Sequence, residues 1–298
     1  MSNRRMINDS RSDRIFYTTT NIVMTILLLI ILYPLIYIVS NSFSSAIAVQ
    51  SGKVVLWPVD FSLEGYKAVF TNKDIGTGYL NSIFYTVFGT ACNIFFTMIC
   101  AYPLARKNLP YKGIIMFLFT FTMFFSGGLI PNYILLVNLK LIDNRLAMIL
   151  PGLINVYNMI IARTFIQSSI PDELLQAAQI DGCSDVRYFF SMVLPLSKAV
   201  MAVLTLYYAV GHWNAYFDAF LYLNSRSLYP LQLFLREILI QNQISATDLD
   251  PELAQMKAAL ADVLKYSLII VASVPVMLVY PFVQKYFIQG VMIGSIKG

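Results

Sequence analysis

Residues 169–195, SIPDELLQAAQIDGCSDVRYFFSMVLP, decide how the rest of the chain is read. This is the longest run of mixed charge between apolar segments in a chain that is 58% hydrophobic. Its residues predict two short helices around a glycine. Pro171, Asp172 and Glu173 suit a helix start, because proline there forfeits no needed hydrogen bond and acids favour the positive helix end. Leu174, Ala177 and Ala178 stand at i, i+3 and i+4 and form one small apolar face. Gly182 can stop that helix at positive φ. Ser184 and Asp185 can start a second helix, which carries Tyr188, Phe189 and Phe190 and ends before Pro195. A compact helix pair hung between membrane spans is shaped to dock in the groove of another protein.

The stretch resembles the EAA loop of the permease subunits of ABC importers, in which E-A-A is followed by three residues, a glycine, nine residues and I-x-L-P. Ala177, Ala178, Gly182, Leu194 and Pro195 hold matching positions, and Asp181 precedes the glycine as is usual there. Gln176 replaces the usual glutamate and Met192 the usual isoleucine. Glutamine keeps the length and the hydrogen bonds but lacks the charge that a salt bridge needs. The resemblance implies that Gln176, Ala177, Ala178, Asp181, Gly182, Leu194 and Pro195 couple the chain to an ATP-binding subunit, whose cleft receives the loop helix. An ordinary cytoplasmic loop is the plainer alternative.

Composition points to a membrane. Mean hydropathy is +0.66 and 12% of residues are charged, about half the globular norm. Length alone would allow one or two soluble domains, but a water-soluble core cannot use this much apolar sequence. The net charge of +5 reflects loop lysines and arginines rather than a nucleic-acid surface. Cys92, Cys100 and Cys183 give no disulfide framework or zinc spacing, and His212, the single histidine, excludes a multi-histidine metal site.

Six segments offer the roughly 20 apolar residues of a span. They lie near Ile15–Val39, Leu80–Ala105, Gly113–Val137, Leu146–Phe165, Leu196–Leu223 and Leu264–Tyr286. Pro151 and Gly152 interrupt the start of the fourth; such breakers are tolerated where neighbouring helices satisfy the freed backbone. The polar start, with Arg4, Arg5, Arg11 and Arg14, resembles a signal peptide, but the apolar run after it is too long and no cleavage site closes it. Arg106, Lys107 and Lys112 crowd one short loop, and Arg163, Arg187 and Lys198 flank the EAA-like loop. The positive-inside rule therefore places both loops and both termini in the cytoplasm. The expected organisation is a cytoplasmic segment 1–14, a six-helix domain 15–289 containing the coupling loop 169–195, and a cytoplasmic tail 290–298.

Other stretches extend the resemblance. LWPVDFSLEGYKAVF, with Trp57, Pro58, Tyr66 and Phe70 at its apolar points, is similar to a segment that recurs in sugar-type permeases. An interfacial helix with aromatics at headgroup level is the plainer reading, and the favoured one for Trp57. GGLIPNY, the LPG at Leu150–Gly152, and Arg163 with Phe165 resemble the subgroup of sugar permeases that includes the LplC and YtcP proteins. There Gly127, Gly128 and Pro131 would let the third helix bend or pack closely.

GHWNAYFDAF in the fifth segment holds the pathway candidates. As one helix it would place Gly211, Asn214 and Asp218 along one face, His212 with Tyr216 on the next, and Trp213 with Phe217 as a further pair. Polar groups inside a membrane are expensive and face a cavity or a partner. Aromatic rings stack on sugars and amides or carboxylates bind their hydroxyls. The segment resembles the WN-containing fifth helix of sugar permeases, which implies substrate contacts for Trp213, Asn214, Tyr216 and Asp218. Asp218 also reads as a solvated residue near the outer surface, and His212 reads as a hydrogen-bonded packing residue rather than a proton relay. After it, LYPLQLFLREIL is amphipathic and could re-enter toward the pore mouth, and Asp248, Asp250, Glu252 and Asp262 make the following stretch acidic. The tail GVMIGSIKG resembles the short tail of sugar permeases and is by physics a flexible terminus.

No G-x-x-x-x-G-K-[ST] and no nucleophile motif occurs. The chain thus carries no cofactor of its own, and ATP with Mg belongs on a partner ATPase. The expectation is an all-α membrane protein with the type I ABC importer permease fold. The resemblance makes it a multi-pass subunit of the bacterial cytoplasmic membrane, of the binding-protein-dependent, maltose-permease-like carbohydrate type. Its partners would be membrane lipid, a second homologous permease, two ATP-binding subunits, an extracellular solute-binding protein and an oligosaccharide, with no nucleic acid. A permease for a non-sugar solute and a non-transporting membrane protein are the rivals; a homodimer is a further arrangement.

Overall fold

The computed structural model describes residues 10–244, 260–278 and 281. Most of the N-terminal segment, the acidic residues Asp248, Asp250 and Glu252, the end of the sixth expected span and the tail lie outside the described residues. All regular structure among the described residues is helical. The chain divides into two units, Met1–Thr71 with Leu239–Val271, and Asn72–Ile238 with Ala272–Gly298.

The first unit is led by α1, Arg11–Ser42. Ser10 and Asp13 form a capping box, with Asp13 N donating to Ser10 Oγ at 3.1 Å and Ser10 N to Asp13 Oδ2 at 3.0 Å. Only Ser40, Asn41 and Ser42 of this helix are buried. Two short helices follow, α2 (Ala46–Gln50) and α3 (Glu64–Thr71). Tyr66 of α3 lies 2.8 Å from Ser42 Oγ. Gly65 lets α3 approach the helix at Leu260–Leu278: a Cβ there would meet Ser267 Oγ and Val263 Cγ1.

In the second unit α4, Lys73–Ala105, is the central post. It is followed by α5 (Lys112–Phe124), α6 (Leu129–Asn138), a 3₁₀ turn at Arg145–Met148 and α7 (Val156–Ser169). Next come α8 (Asp172–Ile180), α9 (Asp185–Tyr188), a π turn (Phe189–Val193) and α10 (Leu194–Leu196). The unit continues with α11 (Lys198–Trp213) and α12 (Phe217–Tyr222). Two more helices, α13 (Leu231–Ile244) and α14 (Leu260–Leu278), each carry residues of both units. Met98, Ala101, Met159, Ala162, Val193 and Leu204 form the buried core where α4, α7 and α11 meet.

A stripe at every fourth residue of α4, Asn81, Tyr85, Gly89, Asn93, Thr97 and Ala101, is buried throughout. Its polar members are all bonded. Asn93 Nδ2 donates to the carbonyls of Gly152 (2.7 Å) and Leu153 (2.9 Å). Asn93 Oδ1 is 2.6 Å from His212 Nε2. Since that amide oxygen can only accept, His212 carries its proton on Nε2. Thr97 Oγ1 lies 2.7 Å from Tyr208 OH, which also accepts from Asn155 N at 3.3 Å. Gly89 faces the His212 ring, which an added Cβ would meet at 2.5 Å.

Among the described residues, α1, α4 and α14 are long and apolar enough to cross a bilayer unaided. Two bent pairs raise the number to five: α5 with α6, bent by 111°, and Asp185–Leu196 with α11, bent by 78°. The bend after α5 falls where Gly128 adopts φ 86. The expected fourth span differs most. Residues around Pro151 and Gly152 are not helical, and α7 alone rises about 21 Å, short of the roughly 30 Å hydrocarbon core. Asn93 and Tyr208 satisfy backbone groups at that break.

Candidate functional site

The helix pair at 169–195 forms as its residues dictate. Pro171 precedes α8, and Asp172 and Glu173 occupy its first turn. Gly182 adopts φ 71. Its N–H donates to Gln179 O (3.0 Å) and Cys183 N–H to Ala178 O (2.8 Å), the paired bonds of a Schellman stop. Ser184 Oγ accepts from Arg187 N at 3.3 Å and caps α9.

The apolar face of α8 departs from expectation. Leu174, Leu175 and Ala178 pack on the core, whereas Ala177 is exposed, because an inward Leu175 turns the helix slightly past the small-residue stripe. Gln176, Ala177, Asp181 and Gly182 are exposed, Leu194 is half-buried and Pro195 exposed. Ile180 is 87% and Val186 68% exposed, two aliphatic side chains flanking the Gly182 turn and left uncovered by the described residues. The π turn beneath lies directly ahead of Leu194 and Pro195.

Two ion pairs fix this hairpin to the loop after α4. Arg106 Nη1 lies 2.6 Å from Asp185 Oδ1, and Lys107 Nζ 2.6 Å from Asp172 Oδ2. The Asp172 hydrogen bond and charge raise the Lys107 pKa. Sequence reasoning missed this tether. Gln176 takes no part in it; it lines a polar cleft beside Arg106, Lys107 and Asn108. The bridges therefore run through Asp172 and Asp185, not through the position where the glutamate is missing.

The pathway candidates do not share one helix. α11 ends at Trp213, and α12 begins only at Phe217. The predicted i, i+3, i+7 face of Gly211, Asn214 and Asp218 is thus broken. Asn214 Nδ2 donates to Val210 O at 3.0 Å, turning its side chain back on the helix it ends. Trp213 is buried, donates from Nε1 to Ala272 O at 2.9 Å and meets Tyr79 edge-on. Asn214, Tyr216 and Asp218 are exposed. His212 is the packing residue expected, bonded to Asn93.

A second network was not foreseen. Asp143, at φ 58, accepts from Asn224 N (2.9 Å), Ser225 N (2.8 Å) and Ser225 Oγ (2.5 Å). These bonds hold its carboxyl below the ordinary 3.8. Asn81 Nδ2 donates to Ser227 O and Tyr229 O, and Tyr85 OH to Leu228 O. Arg226 pairs with Asp74 (3.0 Å) and Glu237 (3.2 Å). Together they strap the segment that introduces α13. The amphipathic reading of α13 holds, with Leu231, Leu233 and Phe234 buried.

No protein-family model matches the chain. It is 42% identical to the polygalacturonan/rhamnogalacturonan transport system permease protein YtcP of Bacillus subtilis (strain 168), over 91% of this chain and 94% of that one. It is 38% identical to protein LplC of the same organism, over the full length of both. Among solved structures it is similar to a chain of a bacterial ABC transporter involved in the import of the acidic polysaccharide alginate, with TM-score 0.85 and 35% identity over 94% of this chain and 99% of that one.

Proposed function

The chain belongs to the permease subunits of carbohydrate ABC importers, and we propose that it moves an acidic or neutral oligosaccharide by passing ATPase closure through the 169–195 hairpin. It is a multi-pass protein of the bacterial cytoplasmic membrane and is not itself an ATPase. A second permease, ATP-binding subunits and a binding protein complete such an importer. The observation that carries the coupling role is the Gly182 turn, which presents Ile180 and Val186 outward while Asp172 and Asp185 tie the hairpin back to the bundle. A partner closing on that knob moves a body tied to α4 and α11 rather than a loose loop, biasing a two-state element.

The reading includes six spans with both termini cytoplasmic, the fourth being a broken one built from the Arg145–Met148 turn and α7. The two ion pairs support this orientation, since they hold the Arg106–Lys107 loop and the hairpin at one end of the bundle, and basic loops stay inside. Asn214, Tyr216 and Asp218, at the break after α11, are the side chains offered to the substrate, and Trp213 braces that break from behind. The chain co-expressed with its candidate partners should copurify with an ATPase and a second permease. Binding protein loaded with galacturonan, rhamnogalacturonan or alginate fragments should then stimulate ATP hydrolysis. Recovery of the chain without any nucleotide-hydrolysing partner would overturn the reading.

A further inference from the structure

We propose that Leu56, Trp57 and Phe61 form a fixed anchor that seats in the headgroup layer of the outer leaflet. Its partner is phospholipid rather than a protein. The proposal rests on the orientation given above and concerns residues the transport mechanism does not use.

The segment after α1 does not extend into water but folds back on the helix end. Ser40 Oγ donates to Leu56 O at 2.7 Å, Val59 N to Ser44 Oγ at 3.0 Å, Ser45 N to Val59 O at 3.2 Å and Ser62 N to Phe43 O at 2.9 Å. Phe61 stacks on Phe43 at 5.8 Å with the rings 7° from parallel. Val54 and Ala48 are buried beneath. The plaque is therefore rigid, yet Trp57 is 80% and Phe61 70% exposed, with Leu56 beside them. A rigid soluble loop has no reason to hold large rings outward.

Depth decides what covers them. From Arg14 to Ser40 the helix rises about 39 Å at 1.5 Å per residue. A bilayer with its headgroups measures about 40–45 Å. With Arg14 in the inner headgroup layer, Ser40 reaches the outer one, and its bond to Leu56 fixes Trp57 at that same level. Indole and phenyl rings favour that layer, where one end is apolar and the other wet. Along α1 the apolar side chains from Ile22 to Leu35 are likewise exposed, and one lipid environment would cover both. Lys53 and Asp60, both exposed nearby, are suited to its watery side.

The test uses the assembled importer in lipid vesicles, with a nitroxide on Trp57→Cys, Phe61→Cys, Lys53→Cys or Leu27→Cys as its sole reactive cysteine. Collisions with oxygen and with a water-soluble nickel chelate are measured by power saturation. Nickel access at 57 and 61 should be several-fold below that at 53 and above that at 27. Nickel access at 57 equal to that at 53, with 27 still lipid-embedded, overturns the anchor and leaves the permease reading intact. Access at 57 that drops only when binding protein is added assigns the surface to protein and also overturns it. Water access at 27 overturns the spanning of α1, and the anchor with it.

Discussion

Replacing Gly182 isolates the turn that presents Ile180 and Val186, the proposed coupling knob. Its φ of 71 lies in the left-handed region, where an L side chain costs about 1–2 kcal/mol. Nothing lies within 4 Å of a Cβ added there, so the backbone term is the whole intrinsic cost. That energy corresponds to a factor of about 5–30 in an equilibrium. Gly182→Ala and Gly182→Leu should therefore raise the concentration of ATP-binding subunit needed for half-maximal sugar-stimulated hydrolysis by up to the same factor, as the undocked turn relaxes out of the left-handed region that docking requires. Gly182→Asn, which visits this region readily, should raise it less. The assay titrates ATP-binding subunits onto the reconstituted permease pair and reads hydrolysis and uptake together. Unchanged half-saturation and uptake in Gly182→Ala would refute the claim that this turn shapes the docking surface. A leucine variant far worse than alanine would show instead that the partner surface itself touches position 182.

Three further outcomes follow from the packing. Gly89→Ala should lower thermal stability by about 1–3 kcal/mol through overpacking against the His212 ring, and His212→Ala in the same chain should recover part of the loss; no recovery would place the strain elsewhere. Trp213→Phe should reduce stability by about 1 kcal/mol, the worth of its bond to Ala272, with half-saturating sugar unchanged, whereas Asn214→Ala should weaken uptake at limiting sugar without loss of assembly; the reverse pattern would exchange their roles. Because hydrogen bonds depress the Asp143 pKa, their stabilisation is present above the unfolded carboxylate value and lost as pH falls through the lower folded one. The melting difference between the wild type and Asp143→Asn should thus be constant above roughly pH 5 and shrink below about pH 4, and a pH-independent difference would remove the charge from the account.

Legibility in the sequence followed the distance between partners. The helix pair with its glycine stop was readable because caps, turn and acids lie within a few residues of one another. The three helices long enough to span, α1, α4 and α14, were readable because apolarity is a local property, whereas the expected fourth span is broken around Pro151 and Gly152. His212 and Asn93 lie 119 positions apart, and Asp143 and Ser225 lie 82 apart, so no local rule joins them. One signal was available: polar and small residues at every fourth place of α4, from Asn81 to Thr97, mark a buried seam. The break after Trp213 had no such mark. Asn-Ala-Tyr is compatible with a helix, and tertiary context ended it.

The π turn at Phe189–Val193 has a consequence for phase. It takes one residue more per turn than an α-helix, and each residue is worth about 100° of rotation. The azimuth at which Ile180 and Val186 face outward, measured against α11, is thereby set by a single extra residue, as a shim sets the timing of a gear. Deleting any one of the five would change that phase by about a quarter of a revolution and so set the hairpin against its ties to Arg106 and Lys107.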